Sequence, residues 1–288
     1  MRIHAPAKLN LCLYLGPLRA DGLHELCSLF EPLALSDLIA LPTSTTPEGG
    51  RSRKGDEVIC PGVEGENLAA GALAALREAG WIAPPLRVEI EKRIPVAAGL
   101  GGGSADAAAV LRLAAGEVAD LEEIALGLGA DVPSQLRPAL ALVRGAGESL
   151  ERLPDPEPHA VVLLPGGGGL STAEVFAEAD RLGLGRPADE LDALARGLRE
   201  AAGVGASPLS YSELLVNDLE PAARSLRPEI GDALDALRAA GAPLVLLTGS
   251  GPTAFGLFAD LGEAQEAADA IDREDVIVCA AGSAEGLV

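Results

Sequence analysis

The chain has 288 residues, enough for one large domain or two ordinary ones. Apolar residues make up 48% and charged residues 23%, so a packed interior is expected and a disordered chain is excluded. With 22 basic residues against 43 acidic ones the net charge is −21, a field that repels polyanions and argues against binding nucleic acid or anionic membranes.

One Trp, two Tyr and four Phe are the whole aromatic complement, so Leu, Ala, Val and Ile must fill the core. Any aromatic beside a site is therefore of interest. Cys12, Cys27, Cys60 and Cys279 form no C-x-x-C pair and are expected to be reduced, mostly buried small hydrophobes. No apolar run reaches the ~18 residues of a membrane span. Lys8 and Asn10 interrupt the N-terminal apolar run, which does not read as a secretory signal, and a cytoplasmic location is expected.

Along the chain, residues 7–15 alternate as a strand, with Leu9, Leu11, Leu13 and Leu15 on one face and Lys8, Asn10, Cys12 and Tyr14 on the other. Strands follow at 35–42, 57–60 and 86–92, with a helix at 67–79 between them. The stretch 43–56, rich in Thr, Ser, Gly and Pro, reads as a surface excursion. A glycine cluster then opens an Ala-rich helix at 104–116, followed by a helix at 121–128 and a strand at 139–144. Leu153-Pro-Asp-Pro-Glu-Pro158 is stiff and poor in hydrogen-bond donors, which suits a connection between domains. Beyond it the pattern predicts a strand at 159–164, helices at 172–182, 187–202 and 228–240, strands at 243–247 and 253–259, a helix at 262–272 and a strand at 275–280. That order matches a split βαβ sandwich with added helices. An α+β fold of two domains, 1–155 and 156–288, is expected.

The strongest chemical signal is Pro95-Val-Ala-Ala-Gly-Leu-Gly-Gly-Gly-Ser-Ala-Asp106, placed after a strand and opening a helix. Glycines let the chain approach an anion closely, and the helix N-terminus adds partial positive charge. The motif is neither a Walker loop, since no Lys-Ser or Lys-Thr follows, nor the dinucleotide fingerprint. Alone, such a turn is structural as often as functional. The basic residues include only three lysines, Lys8, Lys54 and Lys92, among many arginines. A retained lysine points to a need for a compact charge.

Pro6-Ala-Lys-Leu-Asn10, the glycine loop, and Leu247-Thr-Gly-Ser-Gly-Pro-Thr-Ala254 together resemble, in order and spacing, the three motifs of the GHMP superfamily of small-molecule kinases. Arg19-Ala-Asp-Gly-Leu-His-Glu-Leu26, Gly129-Ala-Asp-Val-Pro133 and Asn217-Asp-Leu-Glu220 resemble the branch of it whose acceptor is a methylerythritol carrying a cytidine diphosphate group. The resemblance implies an N-terminal domain like domain 2 of ribosomal protein S5, a ferredoxin-like C-terminal domain, and ATP and Mg2+ as co-reactants. It makes Asp131 the catalytic carboxylate and Lys8 its cationic partner. An attacking alcohol needs its proton steered or removed, and a lysine beside the carboxylate keeps it ionised. Read alone, Asp131 would be a turn or helix cap.

By the same resemblance Asn67 and Lys92 border the adenine, and Pro95, Gly99, Leu100, Gly101, Gly102, Gly103, Ser104 and Ala105 bind ATP. The Ser104 hydroxyl could touch a phosphate or Mg2+, or serve as a plain N-cap. Gly102 is expected to need a positive φ. Asn10, His24 and Phe176 are assigned to the cytidylate substrate, and Thr248, Gly249, Ser250 and Gly251 to a loop closing over phosphates and acceptor. Leu23 departs from the tyrosine of most members, and Ser134-Gln135 from their more apolar residues. A sister kinase acting on homoserine, mevalonate or a sugar is the nearest alternative, though it would not need Asp21-Gly-Leu-His24. A non-catalytic nucleotide or sugar sensor is another, though it could dispense with Lys8 or Asp131.

Overall fold

The computed structural model describes residues 1–41, 55–63 and 65–282. Most of the excursion expected over 43–56 lies outside the described residues. Two long strands dominate: β1 (Arg2–Leu18) and β2 (His24–Ala40) pair antiparallel from Arg2↔Ala40 to Leu18↔His24. Both extend well past the 7–15 and 35–42 predicted. His24, Glu25, Ser28, Glu31 and Pro32 break the apolar alternation of β2, which hid its first half.

The register of the β1–β2 pair shifts between Asn10 and Cys12. One extra residue in a strand turns every following side chain to the opposite face. Leu9 and Leu11 therefore share an interior with Cys12 and Tyr14, while Leu13 and Leu15 join another. This corrects the expected single leucine face. It also puts Leu13 on the same cavity as Lys8 and Asn10.

After β2 come β3 (Glu57–Ile59), α1 (Leu68–Glu78), β4 (Arg87–Glu91), α2 (Gly102–Leu111), α3 (Leu121–Leu128), α4 (Val132–Leu136), β5 (Ala141–Gly145) and β6 (Ser149–Arg152). The second half runs β7 (His159–Leu164), α5 (Thr172–Leu182), α6 (Ala188–Ala202), α7 (Glu220–Leu226), α8 (Glu229–Ala239), β8 (Leu244–Leu247), β9 (Ala254–Phe258), α9 (Leu261–Ala270) and β10 (Ile277–Ala281). Its strands lie in the order β10-β7-β9-β8, all antiparallel, as a split βαβ sandwich requires. β1 lies along one edge of β2; β5, β10 and β4 share the other. The fold is α+β. α4, β6 and α7 were not predicted, being shorter than the windows over which periodicity can be read.

α2 is buried along its length, from Ala105 to Leu111, which accounts for its alanine content. Cys12, Cys27 and Cys279 are buried free thiols and Cys60 is half-buried; burial pushes Cys27 up to about 11 and Cys279 up to about 12. No helix among the described residues is long and apolar enough to cross a membrane.

Where β10 meets β2, His159 at the head of β7 places Nε2 3.2 Å from Glu31 Oε2, with Nδ1 3.0 Å from Glu157 O. Both side chains are buried. Burial alone would lower the His159 pKa, but the hydrogen bond and charge of Glu31 outweigh it and leave the pKa above its ordinary 6.5. A raised folded pKa gives stability that is complete below the unfolded value and disappears as pH rises through the folded one. The Tm difference between wild type and Glu31→Gln should therefore shrink as pH climbs from about 6 to about 9. A constant difference in calorimetry would show that the pair carries no charge.

Candidate active site

The segment after β4 turns into α2 through three left-handed residues, Ala97 (φ 56°), Gly99 (φ 78°) and Gly101 (φ 70°). Gly101 occupies the N-cap of α2, and a Cβ there would sit 2.8 Å from Lys8 Cγ. At Gly99 a Cβ would lie 2.6 Å from Gly251 O. Gly102 has no positive φ, contrary to expectation; its would-be Cβ instead faces Lys92 Nζ at 3.1 Å and Asp37 Oδ2 at 3.3 Å. Conformation and close approach thus single out Gly99 and Gly101.

This loop lines a cavity of about 360 Å³ with Pro95, Leu100, Gly103, Ser104, Asn67 and Lys92. Ala105 is buried behind the wall. The Asn67 side chain caps α1, accepting from Ala69 N at 2.9 Å. Lys92 Nζ donates to Asp106 Oδ2 at 2.8 Å and also to Asp37, whose other oxygen accepts from Arg93 N (2.6 Å) and Ile94 N (2.8 Å). Burial pushes the Asp106 carboxyl upward against the pull of Lys92. Sequence reading missed Asp37 altogether; the only signal was the retained Lys92, which needs an acid when half-buried.

Lys8 rises from β1 between two register shifts, its side chain 8% exposed. Its ammonium lies 3.5 Å from Asp131 Oδ2, donates to Asn10 Oδ1, and sits 4.9 Å from the centre of the Phe30 ring. Its backbone N donates to Leu100 O at 2.9 Å, joining β1 to the glycine loop. Asp131 stands at the N-cap position of α4 yet makes no capping bond with its side chain. Its carboxylate is a third exposed and faces the lysine.

A second cavity of about 760 Å³ holds Lys8, Asn10 and Asp131 together with Leu23, His24 and Phe176. Gly99 and Gly101 line both cavities, so the two chambers meet at the glycine loop. Gly249 and Ser250 also reach this wall. Thr248 and Gly251 do not: Thr248 is buried, its hydroxyl accepting from Asn10 N at 2.9 Å, and Gly251 N donates to Thr248 O at 2.9 Å. They support the loop from behind. His24 is turned by Nδ1 toward Gly16 O at 3.0 Å, and its ring centre lies 5.6 Å from that of Phe176, tilted by 34°. His24 Nε2 is 3.1 Å from Asp180 Oδ1 but out of hydrogen-bond alignment, so among the described residues this buried nitrogen has no hydrogen-bond partner. Leu23 is exposed on the same wall.

The models of the GHMP kinases N terminal domain and the GHMP kinases C terminal region match residues 67–136 and 190–277. The 4-diphosphocytidyl-2-C-methyl-D-erythritol kinase of Thermobifida fusca is 39% identical over 93% of this chain and 90% of its own length. The enzyme of that name from Rhizobium leguminosarum bv. trifolii is 40% identical over 94% and 90%. This chain belongs to the 4-diphosphocytidyl-2-C-methyl-D-erythritol kinase family. The crystal structure of a 4-(cytidine 5'-diphospho)-2C-methyl-D-erythritol kinase superposes with a TM-score of 0.77 at 36% identity, covering 98% of this chain and 100% of the other. The L. major mevalonate kinase, at 15% identity over 99% of this chain and 96% of its own, shares the fold with a TM-score of 0.72. The protein is accordingly an ATP-dependent small-molecule kinase of GHMP fold.

Gly101→Ala tests the close approach of loop and lysine in this kinase. A β-carbon at positive φ costs roughly 1 kcal/mol or more, and here it also pushes Lys8 away from Asp131. Lower Tm and a lower kcat are expected together; a variant matching wild type in both would show that the loop has room to spare.

Proposed function

We propose that this kinase transfers the γ-phosphoryl group of ATP to the 2-hydroxyl of 4-diphosphocytidyl-2-C-methyl-D-erythritol in non-mevalonate isoprenoid synthesis. One observation carries the reading: the Lys8–Asp131 pair stands where a glycine-loop chamber meets a second chamber whose far end is the His24–Phe176 pair. A sensor would need neither the acid nor the base in contact.

Residues 1–155 would then form the domain that carries ATP and residues 156–288 the domain that closes over the acceptor. Asn67 and Lys92 would border the adenine, with the phosphates over Gly99–Ser104 against the N-terminus of α2. Among the described residues no cluster of three or more His, Cys, Asp or Glu could hold a metal alone. Mg2+ would therefore be held chiefly by the phosphates, with the Ser104 hydroxyl as one oxygen ligand, and would supply charge neutralisation. The Asp131 carboxylate accepts the proton of the acceptor hydroxyl as the new O–P bond forms and the bond to ADP breaks. The Lys8 ammonium, in contact with that carboxylate, offsets charge on the phosphoryl oxygens. At the other end His24 Nε2, close to Asp180 but not hydrogen-bonded to it, takes the polar edge of cytosine, and Phe176 its face.

ADP release from ATP, followed separately with 4-diphosphocytidyl-2-C-methyl-D-erythritol, homoserine, mevalonate and galactose, tests the assignment. Turnover of the first alone is expected; turnover of another in its place would overturn it, and turnover of none would favour a sensor. Asp131→Asn should leave ATP binding intact and lower kcat by about 10²-fold or more, the scale for losing an acid–base group.

Phe176 packs partly on the interior formed by Val175 and Ala179, so it is both an anchor and a wall. With Leu23 in place of a second ring, Phe176→Ala should cost the cytidylate about 1–3 kcal/mol of binding, the worth of a base–aromatic stack. The loss should appear as a raised KM for that substrate with an unmoved KM for ATP. A lower Tm with an unchanged cytidylate KM would make Phe176 an anchor only.

A further inference from the structure

Asn217 lies outside every regular element and is buried, and both polar atoms of its side chain are engaged. The carboxamide nitrogen donates to Leu247 O at 2.6 Å and Gly249 O at 2.8 Å, and Oδ1 accepts from Leu219 N at 2.9 Å. Its own segment is tied to β1. Leu13 N donates to Val216 O at 2.8 Å and Asp218 N to Leu13 O at 2.9 Å. Leu15 N reaches Asp218 Oδ2 at 3.0 Å, and the Arg186 guanidinium clamps the same carboxylate at 2.6 and 2.7 Å. The strand that carries Lys8 thus also holds the residue that grips the C-terminal glycine loop.

That grip fixes a peptide plane. In a trans peptide the carbonyl and the next N–H point in opposite directions, and the 249–250 bond is trans. With Gly249 O held toward the buried Asn217, the Ser250 N–H points away from it. Ser250 and Gly249 form part of the wall of the acceptor chamber, and among the described residues nothing accepts from this N–H. Gly249 is left-handed (φ 57°), and a Cβ there would lie 3.0 Å from Asn10 Oδ1 and 3.9 Å from Lys8 Nζ, so the residue that begins this peptide faces the Asn10 and Lys8 side chains.

We propose that Asn217 is a positioning residue that holds the Ser250 N–H toward the chamber beside Lys8, where it donates to an oxygen of the transferring phosphoryl group. The inference rests on phosphoryl transfer taking place at the Lys8–Asp131 pair. A donor aimed at charge that develops in the transition state acts on kcat more than on ground-state binding.

Asn217→Asp and Asn217→Ala separate this role from simple folding. The aspartate keeps the Oδ1 acceptor for Leu219 N but faces two carbonyls with a carboxylate and no donor, so the 249–250 plane is free to turn. The expected result is a folded Asp variant whose kcat is lower by about 10²-fold, the scale for removing one such donor, with both KM values within about 2-fold. Ala, which repels nothing, should lose less. If the aspartate variant melts below the assay temperature, Asn217→Ser, which retains one hydroxyl donor, carries the same test with a smaller loss confined to kcat. An Asp variant with wild-type kcat beside a destabilised Ala variant would reduce Asn217 to a cap on Leu219 and overturn the inference. Wild type is assayed in parallel: no turnover there overturns the kinase reading and this inference with it, whereas turnover in wild type together with an undiminished kcat in the folded Asp variant overturns the inference alone.

Discussion

The ammonium of Lys8 is nearly out of water, and a charge in that position must be answered by its neighbours. Asp131 supplies an opposite charge, Asn10 an acceptor, and Phe30 the face of a ring. Each of these in turn constrains something larger. α4 has to end its N-terminus where Asp131 faces the strand rather than capping its own helix. The glycine loop has to pass so close to the lysine stem that only Gly101 fits, and the C-terminal loop so close to Asn10 that Gly249 is favoured. Two halves of the chain therefore close on one side chain.

Charge on the larger scale runs the other way. A chain of net charge −21 repels ATP and a diphosphate substrate at a distance, but exposed charges are screened beyond roughly 8 Å at physiological salt. Inside the chambers, local groups decide. Among the described residues, Lys8 and Lys92 are the lysines on their walls and no arginine lies there. Lys92 is held between Asp37 and Asp106, so its charge is already balanced. In the proposed reaction, anion binding falls to Lys8, the α2 N-terminus and backbone N–H groups, which bring little net charge and suit a group whose negative charge shifts during transfer.

Much of this was legible in the sequence, and the failures have physical causes. The order of strands and helices after residue 158, the short α7 apart, follows from apolar periodicity, and the glycine loop from composition. The leucine face of β1 was misread because a register shift leaves no mark on the sequence, yet inverts every side chain beyond it. The positive φ expected at Gly102 belongs to Gly99 and Gly101, since a run of glycines does not say which one the turn needs. Asp37, Phe30 and Asp180 went unnoticed as neighbours of the site because long-range pairing brings them there. Thr248 and Gly251 were legible as part of a loop but not as its hidden side.

In the proposed reaction the acceptor alcohol lies between Asp131 and the γ-phosphate, with Lys8 beside both. A crystal structure with a non-hydrolysable ATP analogue and 4-diphosphocytidyl-2-C-methyl-D-erythritol measures this directly. The 2-hydroxyl is predicted to lie within about 3 Å of an Asp131 carboxylate oxygen and in line with the γ-phosphorus, near-attack geometry for transfer. A complex in which both ligands are ordered but Asp131 contacts neither, or in which the cytidylate occupies another surface, would contradict it.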